Sequence, residues 1–298
     1  MLHSKHLCRQ FHTAARRVPL AYELHRPPTS NSTTSHNSTS STPILFLHGF
    51  LGSKRENRHV SRLLAKDLFR PVYALDMRNH GESGHHPKHD YMEMALDVKS
   101  FIERHQLRAP TIIGHSMGAK TALTLALESP TLIKDVVAID NCPIRLPLES
   151  DFVRYLEGLA RLRDERITDH LQADKILSQY EKSPAIRAWL ISNLHKKPGT
   201  PFLQLRVPVE TLSTAIRPLG EFPYRVGEES QAIRQFNGRV LFLRALQSNF
   251  IPESALPLIN SFFPSSEIVD IDCGHWIVQE KTEEFRKIVG RFLLAQRD

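Results

Sequence analysis

The sequence predicts an α/β fold: a mostly parallel central sheet flanked by helices, with a helical lid inserted after the strand that ends at Asp140. Three observations predict it. Gly114-His115-Ser116-Met117-Gly118 lies between a β-branched run, Thr111-Ile112-Ile113, and a helix-forming stretch over residues 119–127, so it reads as a serine on a sharp strand-to-helix turn. Other apolar runs lead into polar or glycine-bearing loops, as in sheets whose active groups gather beyond the carboxyl ends of the strands. Residues 144–236 separate two such runs by far more than an ordinary loop and contain helix-like stretches at 151–166 and 169–182.

The first 22 residues contain Lys5, Arg9, Arg16 and Arg17 but no Asp or Glu, and no apolar core of the length a secretory signal needs. They fit a mitochondrial transit peptide over residues 1–17, with processing near residues 11–17. A first strand is expected at 20–25. Residues 29–42 are almost wholly Ser, Thr and Asn, which cannot bury a core, and are expected to be a flexible loop. Their Asn31-Ser32-Thr33 and Asn37-Ser38-Thr39 match glycosylation acceptors, a match with meaning only in a secreted chain. The α/β core is therefore expected over 18–143 and 237–298, with the lid at 144–236.

A strand at 43–47 runs into His48-Gly49-Phe50-Leu51-Gly52-Ser53, and one at 72–75 into Asp76-Met77-Arg78-Asn79-His80-Gly81-Glu82-Ser83. Asp76 and Arg78 read as a hydrogen-bonded brace beneath the site, and His48 as a loop-bracing residue. Ser116 is the expected nucleophile; glycine two residues before and after it relieves crowding at the turn. A serine hydroxyl is a poor nucleophile near neutral pH, so a histidine base and an orienting carboxylate are required. His275, in the loop after a strand at 267–272 and before a helix at about 279–295, is the expected base. The strand at 239–245 is followed by Leu246-Gln247-Ser248-Asn249, which carries no carboxylate, and Glu253 beyond it reads as a first-turn helix charge. Asp140, ending the strand at 136–139, is therefore the expected acid, because Asp270 and Asp272 lie too close along the same strand to fold back onto the His275 ring. The negative charge that develops on the carbonyl oxygen needs fixed donors, and the backbone amides of Phe50 and Met117 are available.

His-Gly-Phe at 48–50, Asp-x-Arg-x-x-Gly-x-Ser at 76–83, the elbow at 114–118, Asp140 and Gly-His-Trp at 274–276 together resemble the α/β-hydrolase superfamily. The finer wording is similar to a mitochondrial branch containing the α/β-hydrolase domain-containing protein 11 group and the yeast ethanol acetyltransferases. The resemblance implies the α/β-hydrolase fold and an esterase or thioesterase using Ser116, Asp140 and His275, with Phe50 and Met117 as oxyanion donors. It covers about residues 43–143 and 239–296, and Ala119 stands where a third glycine is usual.

The expected substrate is a small-molecule ester or thioester, acyl-CoA included. Water is expected to resolve the acyl-enzyme; the alternative is release to an alcohol, which would make the chain an acyltransferase like the acetyltransferases it resembles. A noncatalytic mitochondrial binding protein on the same scaffold is the alternative from another class. The net charge of +7 comes without an aromatic-interleaved basic motif, so no nucleic-acid partner is expected. No metal-ligand cluster, phosphate loop or dinucleotide fingerprint occurs, so neither metal nor cofactor is expected, and no apolar run is long enough for a transmembrane segment. Leu156, Leu159, Leu171, Ile176, Leu177, Trp189 and Leu190 are candidate linings of an acyl pocket. Of the three cysteines, Cys142 and Cys273 lie within two residues of Asp140 and His275; both read as buried thiols, with oxidation at either a way to block the site.

Overall fold

Strands form where the apolar runs occur because both faces of each are buried. Ile44 and Phe46 face one core and Leu45 and Leu47 the other, the period-two alternation of a strand sandwiched between helices. In the computed structural model, which describes residues 17–28, 42–148, 150–225 and 234–295, these runs become β1 (Tyr22–His25), β2 (Ile44–Leu47), β3 (Val72–Leu75), β4 (Thr111–His115) and β5 (Asp135–Ile139). A hairpin of β6 (Leu194–Lys196) and β7 (Leu203–Leu205) stands apart from the main sheet, which β8 (Arg239–Ala245) and β9 (Ser266–Ile271) complete.

The main sheet has seven strands in the order β1-β3-β2-β4-β5-β8-β9. Only β1 runs antiparallel. The carboxyl ends of the six parallel strands therefore share one edge. The chain places β3 on one side of β2 and then crosses to lay β4 on the other, so a crevice opens between the loops after β2 and β4. Ser116 and Phe50 belong to those two loops.

Helices α1 (Arg58–Leu68), α2 (Tyr91–Arg104) and α3 (Met117–Glu128) cover the first half of the sheet. Asp90 caps α2 by accepting from the Glu93 amide. Between β5 and β8 lie α4 (Ser150–Asp164), α5 (His170–Leu177), α6 (Pro184–Ile191), the hairpin and α7 (Val209–Gly220). Helix α5 ends five residues short of the expected 182, and α6 starts anew, because Ser183 caps it and Pro184 fits a first turn but not a helix interior. After α8 (Leu256–Phe262), the C-terminal helix divides into α9 (Ile277–Glu280) and α10 (Thr282–Leu294) at the nonhelical Lys281. Helices α1, α9 and α10 close one face; α2, α3, α8 and the insertion close the other. No described helix is long and apolar enough to cross a membrane.

The expected leader and the low-complexity loop lie outside the described residues, apart from Arg17 and Thr42. Arg17 pairs with Glu93 at 3.0 Å, and the Val18 amide donates to Asp97 at 3.0 Å, so the chain is already docked on α2 at this point.

Lys120 is buried in α3, where its Nζ donates to the Glu221 carbonyl at 3.2 Å and lies 5.4 Å from the Tyr91 ring centre. Burial pushes the ammonium down from its ordinary 10.5 to about 8. Between those pH values the unfolded chain holds a proton that the folded one has released, so this residue makes stability rise with pH. Below about 8 both states are protonated and the full desolvation cost stands. Urea unfolding between pH 7.5 and 10.5 should show a relative gain of roughly 2–3 kcal/mol in the wild type over Lys120→Met.

Candidate functional site

The turn after β4 exists because its glycines let the chain cross itself. Ser116 adopts φ 54°, ψ −111°, a left-handed conformation costly for a residue with a side chain. A Cβ on Gly114 would sit 2.2 Å from the Gly118 carbonyl oxygen, and one on Gly118 would sit 2.5 Å from that of Leu47. The Ser116 amide is tied to the Ile139 carbonyl at 2.9 Å, which fixes the turn against β5. Because the colliding atoms are backbone, Gly118→Ala should lose about 3 kcal/mol of stability in denaturant unfolding.

Asp140 also has a positive φ, 45°, and is fully buried at the end of β5. Its Oδ1 accepts from the Ala245 amide at 3.1 Å, and its Oδ2 from the Ser248 hydroxyl at 2.6 Å and from His275 Nδ1 at 2.7 Å. With Nδ1 donating, His275 Nε2 carries the free lone pair. The imidazole is held from other directions too. Phe250 stacks on it with ring centres 4.2 Å apart, and His115 Nε2 donates to the His275 carbonyl at 2.8 Å.

Ser116 and His275 line one small cavity together with Gly49 and Phe50. The loop after β2 passes so close that a Cβ on Gly49 would lie 3.4 Å from the Ser116 Cβ. In that loop the Leu51 amide donates to His80 Nε2 and the Gly52 amide to the Gly49 carbonyl. In the elbow, the Ala119 and Lys120 amides donate to Ser116. The amides of Phe50 and Met117 have no protein acceptor among the described residues. They are free to meet an oxyanion at the helix N-terminus.

The other carboxylates are engaged elsewhere. Glu253 is exposed in a 3-10 turn, Asp270 forms a two-bond pair with Arg244 at 2.7 Å, and Asp272 accepts from Gln247 at 3.0 Å. Asp76 accepts from the Lys54 and Glu82 amides at 2.7 and 2.8 Å and pairs with Lys54 Nζ at 2.5 Å. Arg78 is fully buried, bonded to Asp97 at 2.6 Å, the Lys88 carbonyl at 2.7 Å and Glu93 at 3.3 Å. His48 Nδ1 donates to the Gly49 carbonyl at 2.7 Å while its Nε2 accepts from the Met77 amide at 3.0 Å, so the ring ties two loops together. Burial pushes His48 and His80 down, and His89 and His115 down to about 3, so these four stay neutral.

Two sets of expectations need correction. Of the seven candidate pocket linings, Leu156, Leu159, Leu177 and Leu190 are packed in the core, Ile176 leans on it, and Leu171 is 81% exposed. Only Trp189 of that set lines a cavity at the site. Helical periodicity marks a buried face without saying whether packing or open space lies opposite. The thiols of Cys142 and Cys273 are buried and pushed up to about 12 and about 11, so they are not the thiolates that oxidation needs.

Three contributors escaped sequence reasoning: Ser248, Phe250 and Glu56. The first two occupy the loop after β8 in which no carboxylate occurs; that loop instead bonds Asp140 of β5 through Ser248 and stacks Phe250 on His275. Glu56 accepts from Trp189 Nε1 at 2.8 Å, and burial raises its carboxyl to about 7. The cavity over Ser116 measures about 10 Å³, room for about one water. A second cavity of about 510 Å³ adjoins it through the shared walls Glu56, Trp189 and Trp276. Among the described residues no cluster suited to a metal ion occurs.

A mostly parallel seven-stranded sheet with a serine on the strained turn after β4 defines an α/β hydrolase. Residues 42–282 match the family described as alpha/beta hydrolase fold, and the chain belongs to it. It is 38% identical over 252 residues to an abhydrolase domain-containing protein of Schizosaccharomyces pombe, covering 84% of this chain and 92% of that one. It is 33% identical over 304 residues to ethanol acetyltransferase 1 of Cyberlindnera fabianii, covering 95% and 88%. Among solved structures, a marine microorganism esterase superposes with a TM-score of 0.81 at 24% identity over 92% of this chain and 99% of that one.

Proposed function

We propose that the protein is a serine hydrolase that cleaves small-molecule carboxylic esters or thioesters through an acyl-enzyme on Ser116. The observation that carries this reading is the 2.7 Å contact between His275 Nδ1 and Asp140, which leaves Nε2 as a base in the cavity that Ser116 also lines. Ser116 gives its proton to His275 Nε2 as its Oγ bonds to the carbonyl carbon. The oxyanion meets the amides of Phe50 and Met117. His275 then protonates the leaving oxygen or sulfur as that bond breaks. Water repeats the cycle on the acyl group and restores the serine.

Relatives named ethanol acetyltransferase favour a second reading, in which an alcohol takes the acyl group from the same serine, with acyl-CoA as donor. The experiment that tests both feeds the full chain p-nitrophenyl acetate and acetyl-CoA with and without ethanol. Hydrolysis in water supports the first reading, and ethyl acetate formed in preference to acetate supports the second. Absence of any turnover in the folded protein would favour a noncatalytic binding protein instead.

The segment over residues 144–236 is read as a lid: Trp189 of α6 bonds Glu56, and Asn193 donates to the Leu51 carbonyl at 2.9 Å, tying the insertion to the loop beside Ser116. The acid-free, arginine-bearing opening of the sequence supports a mitochondrial address. Subcellular fractionation with and without residues 1–16 tests it; an unchanged distribution after deletion would refute it.

A further inference from the structure

The 510 Å³ cavity beside the site has a composition suited to one kind of ligand. Its walls include Glu56, Ile186, Trp189, Trp276, Gln279 and Glu280, with no lysine or arginine among them. Both tryptophans of the chain are here, edge to face with ring centres 5.0 Å apart. Of the two carboxylates, Glu280 accepts from the Gly274 amide at 3.0 Å. Glu56 accepts from two uncharged donors, the Trp189 indole N–H and the Ser53 backbone amide, and the neighbouring charge acting on it, that of Asp76, has the same sign. A wall with two carboxylates and two indoles favours a cation, which gains from both the negative ring faces and the carboxylates, and it repels an anion.

The cavity's position says which part of a substrate would enter it. Trp276, Gln279 and Glu280 follow His275 along the chain, so the cavity lies on the imidazole side of the site. In acyl transfer the leaving group departs on that side, where it collects its proton. Trp189 and Trp276 border both this cavity and the pocket over Ser116.

Resting on the serine hydrolase reading above, we propose that this cavity receives the alcohol half of the ester. Glu56, Glu280 and the two indoles there favour an alcohol that carries an ammonium group over its uncharged or anionic counterpart. Glu56 is a specificity residue in this scheme; the reacting atoms remain those of Ser116 and His275.

The preference has a pH signature. The groups facing Glu56 are the Ser53 amide; Asp76, itself paired with Lys54; Ser183 and Trp189 of the insertion; and His115, His275, Trp276, Gln279 and Glu280 across the two cavities it lines. Burial holds the Glu56 carboxyl up at about 7, so below that pH it is neutral and above it is charged. Cation preference therefore rises as pH increases through 7.

Because the only tryptophans lie in this cavity, their emission reports its occupancy without any turnover. The full chain is titrated with choline, with its uncharged isostere 3,3-dimethylbutanol and with 3-hydroxypropionate, below and above pH 7. In parallel, kcat/KM is compared for acetylcholine and 3,3-dimethylbutyl acetate. Above pH 7, choline should bind about tenfold more tightly than dimethylbutanol, with hydroxypropionate weakest. Glu56→Gln keeps an acceptor for the Trp189 N–H and should bring the first two within about threefold and flatten the pH dependence. Equal or tighter binding of dimethylbutanol, no choline-dependent emission change, or an unchanged ratio in Glu56→Gln would overturn the proposal. Turnover of p-nitrophenyl acetate with no cation preference sinks this inference alone. Glu56-dependent choline binding without turnover of any ester sinks the enzymatic reading and leaves a cation-binding cavity.

Discussion

Ser116→Ala removes turnover of p-nitrophenyl acetate, lowering kcat by about 10⁴- to 10⁶-fold while thermal unfolding stays cooperative. The magnitude follows from chemistry that no neighbour can take over. Ser83 is bonded to the Asp76 carbonyl, and Ser248 to Asp140, so neither hydroxyl is offered to a substrate. The fold should tolerate the change, because the turn is held by the Ser116 amide and by glycines 114 and 118 rather than by the serine hydroxyl. Relief of the positive φ is not expected, since alanine carries a Cβ as well. Stopped assays of the purified full chain, beside circular dichroism, check both halves of this expectation.

Asp140→Asn comes next in size, a loss of about 10⁴-fold in kcat. Three donors converge on the Asp140 carboxylate: the Ala245 amide, the Ser248 hydroxyl and His275 Nδ1. An asparagine offers one acceptor oxygen and an NH₂ group, so it leaves a donor facing a donor and favours the wrong imidazole tautomer. Asparagine suits the backbone, since it tolerates φ near 45° better than alanine does, and the fold should survive. Glu253→Gln should be silent because that side chain is exposed in its turn. Ser248→Ala should fall between them, at about tenfold, because it removes one of three bonds to the acid and leaves His275 bonded. The reverse ranking of Asp140 and Glu253 would move the acid to the loop after β8.

The strands and the two loops that carry Ser116 and His275 were legible in the sequence because their local chemistry is unambiguous. Val72–Leu75 and Arg239–Ala245 occupy the expected residues. Others shift by one or two, as where Thr111–His115 extends the expected run into the elbow. Asp140 is reached by position and elimination, as the acid that ends the strand at 136–139 once the carboxylates around the last two strands are set aside, and the structure puts it beside His275. The insertion was harder. Its hairpin rests on three-residue strands too short to show an alternation, and its leucines carry the same periodicity whether they face core or cavity. Glu56 could not be read at all, since its surroundings are set by Trp189, 133 residues away. Positions set by local backbone chemistry lie where the sequence put them, whereas the surroundings of Glu56 and of the insertion's leucines are set by packing between distant segments.

A fluorophosphonate reports the activated serine itself, independently of which ester the protein prefers. Incubated with the folded full chain and followed by peptide mapping, it should leave one adduct, on Ser116, absent in Ser116→Ala and formed far more slowly in Asp140→Asn. No adduct, or an adduct on another residue with Ser116 unmodified, would contradict an acyl-enzyme on Ser116.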